Sequence, residues 1–561
     1  MAQTFREAME AAYALDEPAL YLGAPLEGSE ALTGVKVQVA LSMLNRHGLV
    51  AGATGTGKTK TLQGLAGQLS RAGVPTFIAD VKGDLTGLAA PGDGTNQKVL
   101  DRAAQLGIPF EPAGHPVELL SLSGKLGAQV RATVSSFGPL LLSRILDLNK
   151  TQTSVLSLVF KYCDDHDLAL LNLADLRTTL KFLSSDEGKA VLEDYGGISR
   201  DSVGVIQRAL VNLEQQGADA FFGEPAFEVE DLLRTRRVGA VTGADGQLSG
   251  GEEQGIVHLL EISDVMDRPK LFSTFMLWML AQLYQALPEA GDLPRPKLVF
   301  FFDEAHLLFE DASEALLDQV ELTVRLIRSK GVGVFFVTQT PTDVPSSVLA
   351  QLGNRIQHAL RVFTPEDADR LKKTVRTFPM TDFFDVGETI TSLGTGEALV
   401  TVLSPRGTPT ALAPTRIAPP DSLMAALPAD QIQARISNSP LYAEYGQAMD
   451  STSAHEILSA RIAAAKAAVA GATTAPGEAG MTPAQERRAI EARARELERI
   501  RREAEREAKA AERRRATDEA AARREAERAA KRQQDMIEDI GGGLIRGVFG
   551  TLFGSSGRRR R

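Results

Sequence analysis

Short apolar runs that end on glycine or a carboxylate alternate with stretches of helical periodicity along the first three-quarters of the chain. Leu49, Val50 and Ala51 lead into a glycine-rich turn, after which Leu62, Leu65, Ala66 and Leu69 recur at helical spacing. Residues 74–80 (VPTFIAD) form a second apolar run closing on Asp80, and Asp80-Val81-Lys82-Gly83-Asp84 reads as the turn after it. Strand, helix and strand in that order predict a parallel β–α–β unit opening an α/β sheet. Between 125 and 235 the period becomes helical: Val155, Leu156, Val159 and Phe160, then Leu168, Leu170, Leu171 and Leu173, then Val203, Ile206, Leu210 and Leu213. This stretch predicts an all-helical insertion. Sheet-like sequence returns at 255–262. An amphipathic helix over about 270–287 follows, with Trp278 and its Met and Phe neighbours as its core face. After Pro294-Arg295-Pro296 come two more apolar runs, 298–302 (LVFFF) and 331–338 (GVGVFFVT). Uninterrupted runs of this kind predict central parallel strands buried on both faces.

Beyond about 416 the character turns to linker, with Pro419-Pro420 and Pro428, then Ala-rich sequence. Residues 483–535 are dense in Glu, Arg and Ala. Pairs such as Glu491–Arg495 and Glu498–Arg502 lie one helical turn apart, each adding about 0.2–0.5 kcal/mol to an exposed helix. Ile490, Leu497 and Ile500 do not sustain a heptad seam, so a solitary charged helix is the simpler reading than a coiled coil. The last segment, 541–561, is a Gly/apolar stretch ending in Arg558 to Arg561. Such a stub suits an anionic membrane, a nucleic acid or a groove on another subunit, and equally a frayed tail.

Composition narrows the class. At 561 residues the chain is too long for one small core. A lone cysteine, Cys163, excludes an intramolecular disulfide and suits a cytoplasmic setting, as does an N-terminus without signal-peptide layout. The net charge of −10 conceals an asymmetry: residues 481–561 carry 22 basic against 15 acidic side chains, leaving 40 against 57 for the other 480. An acidic body argues against a surface coated with nucleic acid, because phosphate binding needs clustered Lys and Arg. Any such contact is expected in a channel or on the tail.

The candidate chemistry lies at two strand ends. Gly52-Ala53-Thr54-Gly55-Thr56-Gly57-Lys58-Thr59 fits G-x-x-x-x-G-K-[ST] at every fixed position, between a strand and a helix. Glycines let successive backbone amides turn inward around an anion, and the helix N-terminus adds its positive dipole end. Lys58 is expected to reach the terminal phosphates of ATP and Thr59 to place its hydroxyl on Mg²⁺. At the end of 298–302, Asp303 is expected to hold the Mg²⁺ shell and Glu304 to activate the attacking water. Gln339, after 331–338, is placed to sense the γ-phosphate or the lytic water. Arg328 is the candidate arginine finger, with Arg325, Arg355 and Arg361 as weaker ones. Asp303-Glu304-Ala305-His306 spells DEAH, but Lys58 and Asp303 are 245 residues apart and no other helicase motif accompanies them.

The segments GLVAGATGTGKT, IADVKGDLTGL, LVFFFDEAHLLF, IRSKGVGVFFVTQTP and LGNRIQHALR occur in the order seen in HerA-like ATPases of the HerA–FtsK superfamily of P-loop NTPases. The chain resembles most the bacterial branch described as helicase HerA-like. The resemblance implies a RecA-like α/β core with a mainly parallel sheet, ATP and Mg²⁺ as cofactors, and a homo-oligomer, a hexameric ring with an arginine supplied across each interface. It also implies double-stranded DNA as the substrate of the better-known members. Two features depart from the family pattern: 45 residues ahead of the core leave no room for an N-terminal β-barrel, and the sensor turn reads Thr-Gln-Thr-Pro where many relatives have Ser-Gln-Arg-Pro. The expected organisation is an N-terminal segment (1–45), a core in two parts (46–124 and 236–415) around the helical insertion (125–235), a linker (416–480), a charged helix (481–540) and the tail (541–561).

Overall fold

The structure is a computed structural model that describes residues 3–473 apart from 193–196, 240, 243–247, 267 and 310–313. The charged helix expected over 481–540 and the tail over 541–561 lie outside the described residues. Residues 1–466 form one compact unit and 467–561 a second.

The first unit is built on one sheet of 13 strands. Ten carry the fold: β1 (Ala19–Glu27), β2 (Gly48–Ala51), β3 (Thr76–Asp80), β4 (Val117–Ser121), β5 (Val257–Glu261), β6 (Leu298–Phe302), β7 (Val332–Thr338), β8 (Asn354–His358), β9 (Glu397–Thr401) and β10 (Ala413–Ile417). Their order across the sheet is β1-β10-β9-β8-β2-β7-β6-β3-β5-β4. From β8 to β4 every neighbouring pair is parallel, whereas β9, β10 and β1 add antiparallel strands on the β8 side. Every residue of β2, β3, β5, β6 and β7 is buried. That is why these strands read as continuous apolar runs and not as alternation.

Two cores cover the two faces. One packs Ile78, Val299, Phe301 and Val337 against the helix Lys58–Arg71 through Leu62, Leu65 and Leu69. The other packs Phe77, Leu260, Phe300 and Phe336 against the helix Pro269–Ala286 and the helices of the 125–235 stretch. Five helices lie between Val134 and Gln215. Their Leu156, Val159, Leu176 and Ile206 belong to the same continuous core as the sheet. Trp278 joins the two, stacking on Phe137 and donating from its indole nitrogen to the Ser136 hydroxyl at 3.1 Å.

Two stretches differ from expectation. Residues 1–45 join the sheet: β1 pairs with β10 and with Val37–Ala40, and Tyr13 donates to the carbonyls of Val400 and Ala411 at 3.0 and 2.8 Å. Gly23 and Pro25 inside β1 mask its strand pattern, and both are tolerated toward the border of a sheet. Residues 416–466 do not form a linker. They fold in the first unit, with helices at Ala429–Ser437 and Pro440–Tyr445. Residues 418–427 run beside the helix Lys58–Arg71. There the Gln63 amide donates to the Ser422 hydroxyl and the Leu423 carbonyl at 2.9 and 2.6 Å, and the Lys60 ammonium to the Met424 carbonyl. Proline-rich sequence reads as linker because proline has no N–H to donate, yet here the carbonyls of Leu423 and Met424 accept from side chains and that of Asp421 from the amides of Gly92 and Ala113.

Candidate nucleotide site

Four parallel strands set the site by where they stop. In register, Ala51 of β2 stands beside Thr338 of β7, Phe336 of β7 beside Phe302 of β6, and Phe302 beside Ala79 of β3. Neighbouring strands lie about 4.8 Å apart, so the loops leaving β2 and β6 are about 10 Å from each other at one sheet edge. That is the carboxyl edge, where α/β sheets place ligands.

At the β2 exit, Gly52 has φ +155 and an added Cβ would meet the Cβ of His358 at 2.4 Å. Its N–H donates to the carbonyls of Thr338 and Gln339, and Ala53 N–H to that of Ala359, at 2.8 Å. Gly57 (φ +115) caps the helix Lys58–Arg71 without a side-chain partner, leaving the first-turn amides open to an anion. Lys58 is buried and folds back, its ammonium donating to the carbonyls of Gly52 at 2.6 Å and Ala53 at 3.3 Å. Burial lowers its pKa, opposed by the negative charge of Glu304. Thr54 and Gly55 are exposed, and Thr56 donates its hydroxyl to the Ala53 carbonyl at 2.7 Å. Thr59 stands in the first helical turn, half-buried.

At the β6 exit, Asp303 is 2% exposed, and its Oδ2 is buried without a hydrogen-bond partner. Burial, reinforced by the neighbouring Glu304 charge, pushes its pKa up to about 7. A carboxylate oxygen in that condition fits a divalent cation, which would supply the missing partner and the compensating charge. Glu304 is buried too and sits at φ +48, a left-handed conformation rare for a side chain of its size. Its Oε1 accepts from the Lys82 ammonium at 2.6 Å. His306 Nδ1 approaches Oε2 at 3.4 Å, yet Oε2 accepts no hydrogen bond.

Gln339 leaves β7 exposed, beside the glycine loop its carbonyl supports. Arg328 is not brought to this edge. It lies exposed in the turn Arg328–Lys330 ahead of β7, and the seven residues of β7 put it roughly 23 Å from the carboxyl edge of the sheet in its own subunit. Arg325 is exposed on the helix leading there. Arg355 donates to the carbonyls of Thr377 and Leu352, and Arg361 to that of Thr391.

The family model for the helicase HerA-like C-terminal family matches residues 27–561. The chain belongs to that family. No curated protein sequence matches it. Among solved structures it is similar to an unbound form of the bacterial conjugative coupling protein TrwB (15% identity, 75% of this chain and 93% of that one, TM-score 0.47). It is also similar to VirB4 of Thermoanaerobacter pseudethanolicus (14% identity, 72% and 97%, TM-score 0.41). A third is TrwB in complex with ADP and Mg²⁺ (15% identity, 73% and 98%, TM-score 0.43).

In this HerA-like chain the edge holds residues that the motif reading did not single out. Lys82, read as part of a turn, reaches Glu304. Asp80, buried at the end of β3, accepts from the amides of Lys82, Gly83 and Leu85 at 3.1, 2.9 and 2.9 Å and so shapes that turn. Next along the edge, burial and the charges of Asp80, Asp84 and Asp264 push Glu261 up to about 8. His358 at the end of β8 lies between the Thr61 hydroxyl (2.9 Å) and the Glu397 carbonyl (2.9 Å), and burial lowers it to about 4. The available signal was positional: each follows or ends a strand of the sheet that carries the motifs.

Proposed function

We propose that this protein is a Mg²⁺-dependent ATPase of the HerA-like class, a ring-forming motor that works on DNA as a translocase or helicase-like machine in the cytoplasm. The observation that carries the reading is the meeting of the glycine loop and the Asp303–Glu304 pair at one sheet edge. Backbone amides of residues 52–59 and the Lys58 ammonium would bind the phosphates, with Lys58 turning from the carbonyls of Gly52 and Ala53 to the ligand. Thr59 and Asp303 would hold Mg²⁺, which when bound neutralises charge developing on the phosphoryl oxygens. Glu304 Oε2, free of hydrogen bonds, would accept the proton of the attacking water. Gln339 would report the γ-phosphate to the loop it supports through its own carbonyl. Arg328 would act only on the nucleotide of a neighbouring subunit.

A second reading has support of its own: a motor or ATP-gated assembly acting on a protein or an anionic membrane. Residues 1–480 carry 57 acidic against 40 basic side chains, while residues 481–561 are net basic and end in four arginines. One experiment separates the two. ATPase rate is measured with and without single- and double-stranded DNA, alongside particle mass in the presence of ATP. DNA stimulation of an assembled particle supports the motor on DNA; stimulation by vesicles of anionic lipid, with none by DNA, supports the second.

A further inference from the structure

Among the residues at this edge without a role in binding phosphate, metal or water, Lys82 comes nearest to the candidate base. Lys82 contributes no motif residue, yet its ammonium makes the shortest side-chain contact with the candidate base, 2.6 Å to Glu304 Oε1. The contact joins two neighbouring parallel strands, β3 and β6, just past their paired ends. It is not a casual surface pair. The Glu304 carboxylate side chain is 9% exposed, and Lys82 is presented by a turn fixed on three amides by buried Asp80, with Gly83 at φ +69. Glu304 meanwhile holds a left-handed backbone conformation, which persists only where its surroundings over-determine it. The contacts around it are Leu307 N–H to the Glu304 carbonyl at 3.0 Å, Ala305 N–H to the Val337 carbonyl at 2.9 Å, Lys82 on Oε1, and His306 Nδ1 at 3.4 Å from Oε2 without a hydrogen bond.

The consequence is chemical. A free carboxylate rotates and offers either oxygen. With Oε1 held by Lys82, the carboxylate plane is fixed and Oε2, which accepts no hydrogen bond, is the oxygen left to take a proton. We propose that Lys82 is the positioning residue of the hydrolytic base: it orients Glu304 for attack and does not itself bind the triphosphate. The proposal rests on Glu304 being the base. The rival role for a lysine at this edge is a second phosphate ligand beside Lys58, and the two roles differ in what they do to binding.

The test is a cycle of full-length variants assayed with ATP and Mg²⁺: Lys82→Ala, Lys82→Arg, Glu304→Gln and the double variant Lys82→Ala/Glu304→Gln. Lys82 is 45% exposed on a loop, so its removal leaves the core intact, and an unchanged melting curve checks this. A positioning role lowers kcat of Lys82→Ala by about 10- to 100-fold, with KM and ATP affinity within about threefold of the parent. Lys82→Arg restores most of that kcat. In the Glu304→Gln background, adding Lys82→Ala changes the residual rate less than about twofold, because the group it positions is already gone. Three results overturn the proposal: parental kcat in Lys82→Ala, a loss expressed mainly in ATP affinity, or the same fold-loss in both backgrounds. Failure of the underlying reading looks different: Glu304→Gln itself then turns over at the parental rate.

Discussion

The amide of Gly52 donates to the carbonyl of Gln339 at 3.1 Å, so the first residue of the phosphate loop rests on the residue expected to sense hydrolysis. The same amide also reaches Thr338 at 3.2 Å, and the Thr338 hydroxyl donates to Asp343 at 2.7 Å. Any movement of the turn after β7 therefore shifts the entrance of the loop through main-chain contacts alone. Replacing the Gln339 side chain leaves this main-chain contact in place and removes only the amide expected to sense the γ-phosphate, so it should alter turnover more than nucleotide affinity. Gln339→Ala is expected to lower kcat about 10-fold or more with ATP affinity nearly unchanged, measured by steady-state kinetics beside equilibrium binding.

Lys58→Ala removes the ammonium that donates to the loop carbonyls of Gly52 and Ala53. Nucleotide affinity should fall by about 100-fold, on the order of 3 kcal/mol for a charge-assisted contact, as read by titration with a fluorescent ATP analogue. Unimpaired binding would show that the loop amides suffice.

Glu304→Gln keeps the shape of the side chain and removes the proton acceptor. Turnover should drop by about 10²- to 10⁴-fold while ATP still binds, so the particle accumulates in its ATP-bound assembled mass. Native mass measurement with ATP checks the second half of that statement.

Gly52→Ala should fail for a steric reason. The new Cβ meets the Cβ of His358 at 2.4 Å, and φ +155 suits glycine alone, so a cost of about 1–3 kcal/mol in thermal denaturation is expected together with loss of nucleotide binding. Gly55→Ala is the control. Its φ is +78 but the added atom meets nothing within 4 Å, so only the conformational term, about 1 kcal/mol, remains.

Three buried histidines predict acid sensitivity. Burial lowers His47, His258 and His358 each to about 4 in the folded chain. An unfolded histidine takes up its proton near pH 6.5, so between about 6.5 and 4 the unfolded chain binds more protons. Their contribution is fully present above pH 6.5 and is lost as pH falls through this window. Melting temperature should drop steadily from pH 7 to 5. His358→Asn should shallow that slope; a slope unchanged by the substitution would assign the acid loss to other groups.

What sequence revealed and what it concealed follows from physical range. Strands β2, β3, β5, β6 and β7 were legible because burial on both faces leaves an unbroken apolar run, and the glycine loop because its backbone geometry demands glycine at fixed positions. Lys82 was not legible: its partner stands 222 residues away, and only the adjacency of β3 and β6, a product of crossover order, brings them together. The strap at 418–427 was concealed because Pro419 and Pro420 carry the local signature of a linker, while its anchors, among them Lys60, Gln63, Thr86, Gly92 and Ala113, lie some 300 residues or more earlier in the chain. Arg328 fitted a finger by its place on a helix ahead of a strand, but that same place puts it at the amino edge of the sheet, away from its own loop.

The strap has a mechanical meaning. Lys60 directly follows Thr59 and Gln63 lies four residues beyond it on the same helix, so the stretch 422–424 is fastened within about one turn of the residues proposed to bind the triphosphate. Such a tether works in both directions. A load pulling on the C-terminal chain would tug at the cradle, and a cradle closing on its ligand would reel that chain in.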